Sequence, residues 1–205
     1  MSLRESIAAL FPFVRGPNRQ RGLPNSFSGF GTVMMWDLAG FGSLEDLSPE
    51  ELLLLMNQNA SVCAHSIEEF SGQIVQSIGD AGLALWLPSH LDPPHAVLAF
   101  RCGASICKRL SQLQSRDIRP KLRISLGTGP LAGGLMMGRP QIVGVACATA
   151  KRLLGLDLPR RTSMLYTSET LALVEGEIPR TEPVARLTRT TGEKVEVYEY
   201  DDYGA

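Results

Sequence analysis

The chain has 205 residues, of which 44% are hydrophobic and 20% charged, with a net charge of −1. That length supports one domain with its own core. The balanced charge offers no basic surface for nucleic acid, and no apolar run approaches the roughly 20 residues of a membrane span.

Residues 1–30 read as an N-terminal extension and 31–205 as the folded domain. The first residues, Ser2 to Ser6, lack the basic-then-apolar order of a signal peptide, and a cytoplasmic protein is expected. An apolar patch from Ile7 to Val14 gives way to the basic, Pro/Gly-rich stretch Arg15 to Gly22, which has the composition of a linker. Gly31 to Trp36 predicts a short buried strand. Ser48-Pro49-Glu50-Glu51 is a helix start, with serine as cap, proline at the first helical position and acids in the first turn. That helix ends near Phe70. Gln73 to Ile78 and Ala81 to Leu87 form a hairpin around Gly79-Asp80. A second amphipathic helix spans about Pro94 to Leu113, and a strand starts at Leu122. A glycine-rich hairpin region then reaches Ile142-Val143. A helix from about Ala146 to Leu154 follows, then a strand from Ser163 to Tyr166, a short helix from Ser168, and two closing strands near Ala185 to Arg189 and Val195 to Tyr200. This order gives an α+β fold with a ferredoxin-like βαββαβ core and an elaborated C-terminal half.

Cys63, Cys102, Cys107 and Cys147 show no C-x-x-C spacing and read as buried, reduced thiols. His65, His90 and His95 form no pattern near acidic residues, and His90 and His95 fall in a stretch that reads as a solvated loop.

Two aspartates carry the chemistry. Asp37 follows the apolar run Thr32 to Trp36, and Asp80 sits at the tip of the predicted hairpin. Each ends an apolar strand, where a charge has no packing reason to be. Brought side by side, two carboxylates would hold magnesium or manganese together with the phosphates of a nucleotide. The competing reading makes Asp37 a helix cap and Asp80 a turn former.

The motifs resemble the class III nucleotidyl cyclases, the catalytic domains of adenylate and guanylate cyclases. That family's Asp-Ile-x-Gly-Phe-Thr/Ser motif is matched by Asp37-Leu38-Ala39-Gly40-Phe41-Gly42-Ser43. Its Gly-Asp-Ala turn is matched by Gly79-Asp80-Ala81, and its glycine-rich strand by Arg123-Ile124-Ser125-Leu126-Gly127-Thr128-Gly129-Pro130. The resemblance covers roughly residues 31–175. It implies formation of a cyclic nucleotide and pyrophosphate from ATP or GTP. A two-metal Mg²⁺ or Mn²⁺ site would be held by Asp37, Leu38 and Asp80, and the backbone of Ala39, Gly40, Phe41, Gly42 and Ser43 would cradle phosphates. It also implies a dimer whose site lies between two domains.

The base-recognising half departs from the family pattern. Gln76 stands at the purine-selecting lysine, Val145 at the purine-binding aspartate and Ala148 at the ribose-orienting asparagine, while Arg152 keeps the transition-state arginine. The sequence therefore leaves two functions open. One is a cyclase that acts weakly as a homodimer or works with a complementary partner domain in a heterodimer. The other is an inactive cyclase-homology domain that binds metal and nucleotide as a regulatory or heterodimerising module.

Overall fold

The computed structural model describes residues 26–39, 47–88, 94–112, 121–156, 162–178 and 181–201. The expectations for the linker, for Gly40 to Ser43 and for His90 lie outside the described residues. Strand β1 (Ser26–Leu38) starts well ahead of the predicted Gly31 and continues past Trp36. Its added first half, Ser26 to Phe30, pairs with Gly134 to Pro130. The alternation in Ser26-Phe27-Ser28 is too short to read as a strand and the partner segment is glycine-rich; in the fold, backbone pairing and the Phe27 ring packed over Gly133 hold the two together.

Helix α1 (Pro49–Glu69) begins at a reciprocal cap. The Glu51 N–H donates to Ser48 Oγ at 3.2 Å, and the Ser48 N–H donates to the Glu51 carboxylate at 2.9 Å. The Ser48 N–H, with the Ser48 hydroxyl second, holds the Glu51 carboxyl below its usual range. Strands β2 (Gln73–Ile78) and β3 (Ala81–Trp86) form the predicted hairpin. Helix α2 (His95–Gln112) starts at a residue expected in a solvated loop. His95 is half-buried, and its Nδ1 lies 2.9 Å from Thr32 Oγ1. Strands β4 (Leu122–Met136) and β5 (Arg139–Gly144) build the glycine-rich hairpin, and α3 (Val145–Leu154) follows directly. Then come β6 (Ser163–Thr167), α4 (Ser168–Val174), a single 3₁₀ turn at Glu175–Glu177, β7 (Ala185–Thr188) and β8 (Lys194–Tyr200).

The sheet order is β2-β3-β1-β4-β6-β8-β7, with β5 paired to β4 alone. The first four strands have the spatial order of a ferredoxin-like βαββαβ core. β6 joins parallel to β4, and β8 and β7 extend the sheet antiparallel. One face packs against α1, α2 and α4 through Met34, Trp36, Phe100, Ile106 and Tyr166. The other packs against α3 through Val33, Leu85, Leu131, Ala146 and Ala150. Alternation along β1 sends Trp36 and Leu38 to the first face and puts Asp37 on the α3 side. α3 crosses the sheet so closely at Gly127 that a Cβ there would collide with the Ala146 carbonyl oxygen. The four cysteines are buried and none is in a disulfide, and burial pushes the Cys63 thiol up to about 12.

Candidate active site

Asp37 sits directly opposite Arg123 across the antiparallel β1–β4 pair. Arg123 Nε and Nη2 each donate to one Asp37 carboxylate oxygen at 2.8 Å. This two-bond fork fixes the orientation of the carboxylate as well as balancing its charge. The side chains are 22% and 40% exposed for Asp37 and Arg123, so the pair stands at the sheet surface, open to exchange. Asp80 arrives from the β2–β3 turn, where Gly79 takes a φ of 58°. One Asp80 oxygen accepts the Leu38 N–H at 3.3 Å. Both aspartates thus meet β1 near its C-terminal end, Asp37 as a strand residue and Asp80 through the Leu38 N–H. Leu38 buries its side chain in the core and meets Asp80 through its backbone.

Among the described residues, no third His, Cys, Asp or Glu joins this pair in a metal-holding group. Two carboxylates and a neighbouring peptide carbonyl are nonetheless hard oxygen donors. They fit a magnesium or manganese ion that takes its remaining ligands from phosphates and water. Ala39 is less available for a phosphate, because its N–H donates to the Lys121 carbonyl at 2.7 Å. Gly40, Phe41, Gly42 and Ser43 lie outside the described residues.

The residues at the base-recognising positions fall in two places. Gln76 is half-buried on β2, opposite Leu83, which is itself opposite Met35. It therefore shares the sheet face of Asp37. Val145, Ala148 and Arg152 follow helical spacing along one exposed stripe of α3, while Ala146, Ala150 and Leu153 bury the other side. Arg152 does not turn toward the aspartates: its guanidinium donates to the Thr188 carbonyl at the end of β7. The role of Arg123 is absent from the sequence reading, although Arg123 stands in a quoted motif. Its signal is strand register, which only the folded pairing reveals.

Solved structures share the fold. The catalytic core of a rhodopsin-guanylyl cyclase with converted specificity, solved with ATPαS, superposes with a TM-score of 0.75 at 18% identity, over 87% of this chain and 99% of that one. The adenylyl cyclase CyaB from P. aeruginosa gives a TM-score of 0.72 at 21% identity, over 87% of this chain and 97% of that one. The chain is a class III cyclase-fold domain. Curated sequence relatives agree with the fold. Adenylate cyclase 1 of Rhizobium meliloti is 26% identical over 151 residues, 69% of this chain. Guanylate cyclase 2G of Rattus norvegicus is 29% identical over 153 residues, 71% of this chain. The cyclase-fold domain spans only 23% and 14% of the length of these two proteins. No family model matches the chain.

Proposed function

We propose that this cyclase-fold domain carries the metal- and phosphate-holding half of a nucleotidyl cyclase site. In this reading it converts ATP or GTP to cyclic nucleotide and pyrophosphate slowly by itself, or efficiently beside a partner domain that supplies the base-reading half. The observation that carries the reading is an asymmetry between the two halves. Hydrogen bonds tie Arg123 to Asp37, and the N–H of Leu38, next to Asp37, to Asp80. The α3 stripe instead presents Val145 and Ala148, which offer no hydrogen bond to a purine or a ribose.

Asp37, Asp80 and the Leu38 carbonyl would hold the divalent ion, which when bound neutralises the triphosphate and acidifies the attacking ribose hydroxyl. Arg123 lies on the same sheet face and, released from Asp37, has a planar fork suited to phosphate oxygens. Arg152 must leave the Thr188 carbonyl to reach a nucleotide. A purine amino group with no acceptor at Val145 loses about 1–3 kcal/mol, and loss of a positioned polar group at a reacting centre typically costs roughly 10- to 1000-fold in rate. Both point to weak turnover by the chain alone. The reading includes a dimer. A guanylyl cyclase domain from Blastocladiella emersonii with a TM-score of 0.72 at 19% identity is described as a non-canonical dimer. It also includes a cytoplasmic location, supported by four buried cysteines that form no disulfide. No described helix is long and apolar enough to cross a membrane.

The second reading, an inactive metal- and nucleotide-binding module, is favoured by the hydrogen bond that holds the α3 residue Arg152 on the Thr188 carbonyl of β7. One experiment separates the two. With Mn²⁺ and ATP or GTP, the chain is expected to form little cyclic nucleotide. Gln76→Lys, Val145→Asp and Ala148→Asn together should raise the rate by more than the product of the single changes, since all three act on one nucleotide. Robust activity of the unmodified chain would refute the half-site reading. A triple variant that binds nucleotide and stays inert would select the inactive module.

A further inference from the structure

The first half of β1 and the β4–β5 hairpin form a three-stranded platform whose two sides differ. Phe27 and Ile142 face α3 and pack in its cluster. Phe30 faces the other way, its ring edge-on to that of His95 with centroids 6.0 Å apart. Alternation and strand register put Ser28, Ala132 and Val143 on the Phe30 side, with Met136 further along β4. That side is open: Phe30 is 46% exposed, Met136 58% and Val143 62%. Among the described residues its only charge is Arg139, opposite Met136 at the outer end. From Pro130 to Met136 it runs about 20 Å, and three strands make it about 15 Å wide. An area of about 300 Å² is well below the roughly 800 Å² per partner of a stable complex between two molecules. It suits a tethered segment, which a short flexible linker presents at roughly millimolar effective concentration.

We propose that residues 7–14 of this chain fold back and cover the open side of the platform. These residues lie outside the described ones, and the chain enters the platform at Ser26, which pairs with Gly134 on this same side. The segment carries no charge and offers Ile7, Leu10, Phe11, Phe13 and Val14 as large apolar groups. Extended, its eight residues span about 26 Å, close to the long dimension of the platform. Pro12 lacks an N–H and cannot complete a strand ladder, which favours packing on a sheet face over pairing at an edge. The 11 residues 15–25 are rich in Gly, Pro and Arg. As a flexible coil of that length they reach about 18 Å, enough to turn the segment back over the strands. Leu135 lies on the α3 side of the same hairpin and stays clear of the segment. The docking needs neither metal nor nucleotide, and it does not rest on the proposed cyclase function.

The test places a reporter in the segment of the full chain, Phe11→Trp, without metal or nucleotide. Trp36 and Trp86 are both buried and give a background that the parent spectrum subtracts. The added tryptophan is expected to emit to the blue of a solvated one and to be quenched several-fold less by acrylamide, at every protein concentration. Val143→Asp and Met136→Asp, made separately at exposed positions, should each restore full quenching. Far-UV circular dichroism checks their folding, and either folded variant suffices. Full quenching of Phe11→Trp by itself would overturn the proposal, as would shielding that survives the aspartates. Shielding lost on dilution would replace the segment's own platform with a second copy of the chain. Shielding that appears only with phosphatidylcholine–phosphatidylglycerol vesicles would make the segment a membrane contact, and would likewise overturn the proposal.

Discussion

Arg123 occupies both Asp37 oxygens, so a divalent ion reaching this carboxylate must displace two bonds of 2.8 Å. The displacement costs more than the roughly 0.2–1 kcal/mol of an ordinary surface pair, because the fork is bidentate and Asp37 is mostly covered. Arg123→Ala should therefore tighten binding of Mn²⁺ alone by a few-fold while weakening binding of ATP in the presence of Mn²⁺, both measured by calorimetry. Weaker Mn²⁺ binding in the variant would show that Arg123 orients Asp37 for the ion and does not compete with it. The two aspartates stand out in the sequence because a carboxylate at the end of an apolar strand has no packing role, and their sharing of a metal ion is part of the proposal. Arg123 was not, since its meaning depends on facing Asp37 across a register that spans distant parts of the chain.

Among the elements, α1 and the β2–β3 hairpin match their sequence signals because those signals are local: a capping box and a Gly-Asp turn. The first half of β1 does not, because its alternation is too short to read and its partner is the glycine-rich part of β4. The start of α2 at His95 matches the expected start near Pro94, whereas His95 itself, read as a solvated loop residue, is half-buried and lies within hydrogen-bond distance of Thr32. From His95 a line of hydroxyls crosses the sheet: Thr32 on β1, Thr128 on β4 and Thr170 on α4, at separations of 2.9, 3.0 and 2.9 Å. It joins α2 to α4 through the two central strands. Burial holds the His95 imidazole below its ordinary value. The unfolded chain, with its histidine near pH 6.5, then binds the proton more readily than the folded one. Stability should therefore decrease as pH falls below about 6.5. Urea unfolding across that range should show the slope in the parent and a shallower one in His95→Gln. Identical slopes would rule out His95 as the source.

At the scale of the molecule, the β4–β5 hairpin carries apolar side chains into solvent: Leu135 at 59%, Met136 at 58%, Met137 at 96% and Val143 at 62% exposure, with Val145 at 43% just beyond. The α3 stripe begins at the base of this arm. An apolar run of this kind is the surface expected to meet a second domain. Leu135→Lys with Met137→Asp should shift sedimentation toward the monomer and leave the far-UV circular dichroism unchanged. If the association constant does not move, the dimer uses another face.

β1 lies between β3 and β4, and that position has a consequence for how the chain folds. The hairpin bearing Asp80 closes through a two-residue turn and can form early, whereas the partner strand of Asp37 lies 86 residues further along at Arg123. Closing so long a loop is the slow, entropically costly part of such a topology. On the ribosome, both acidic groups emerge well before the arginine that balances one of them. A nascent chain thus meets divalent cations while Asp37 is still unopposed, and completion of β4 is the step that puts Arg123 in place.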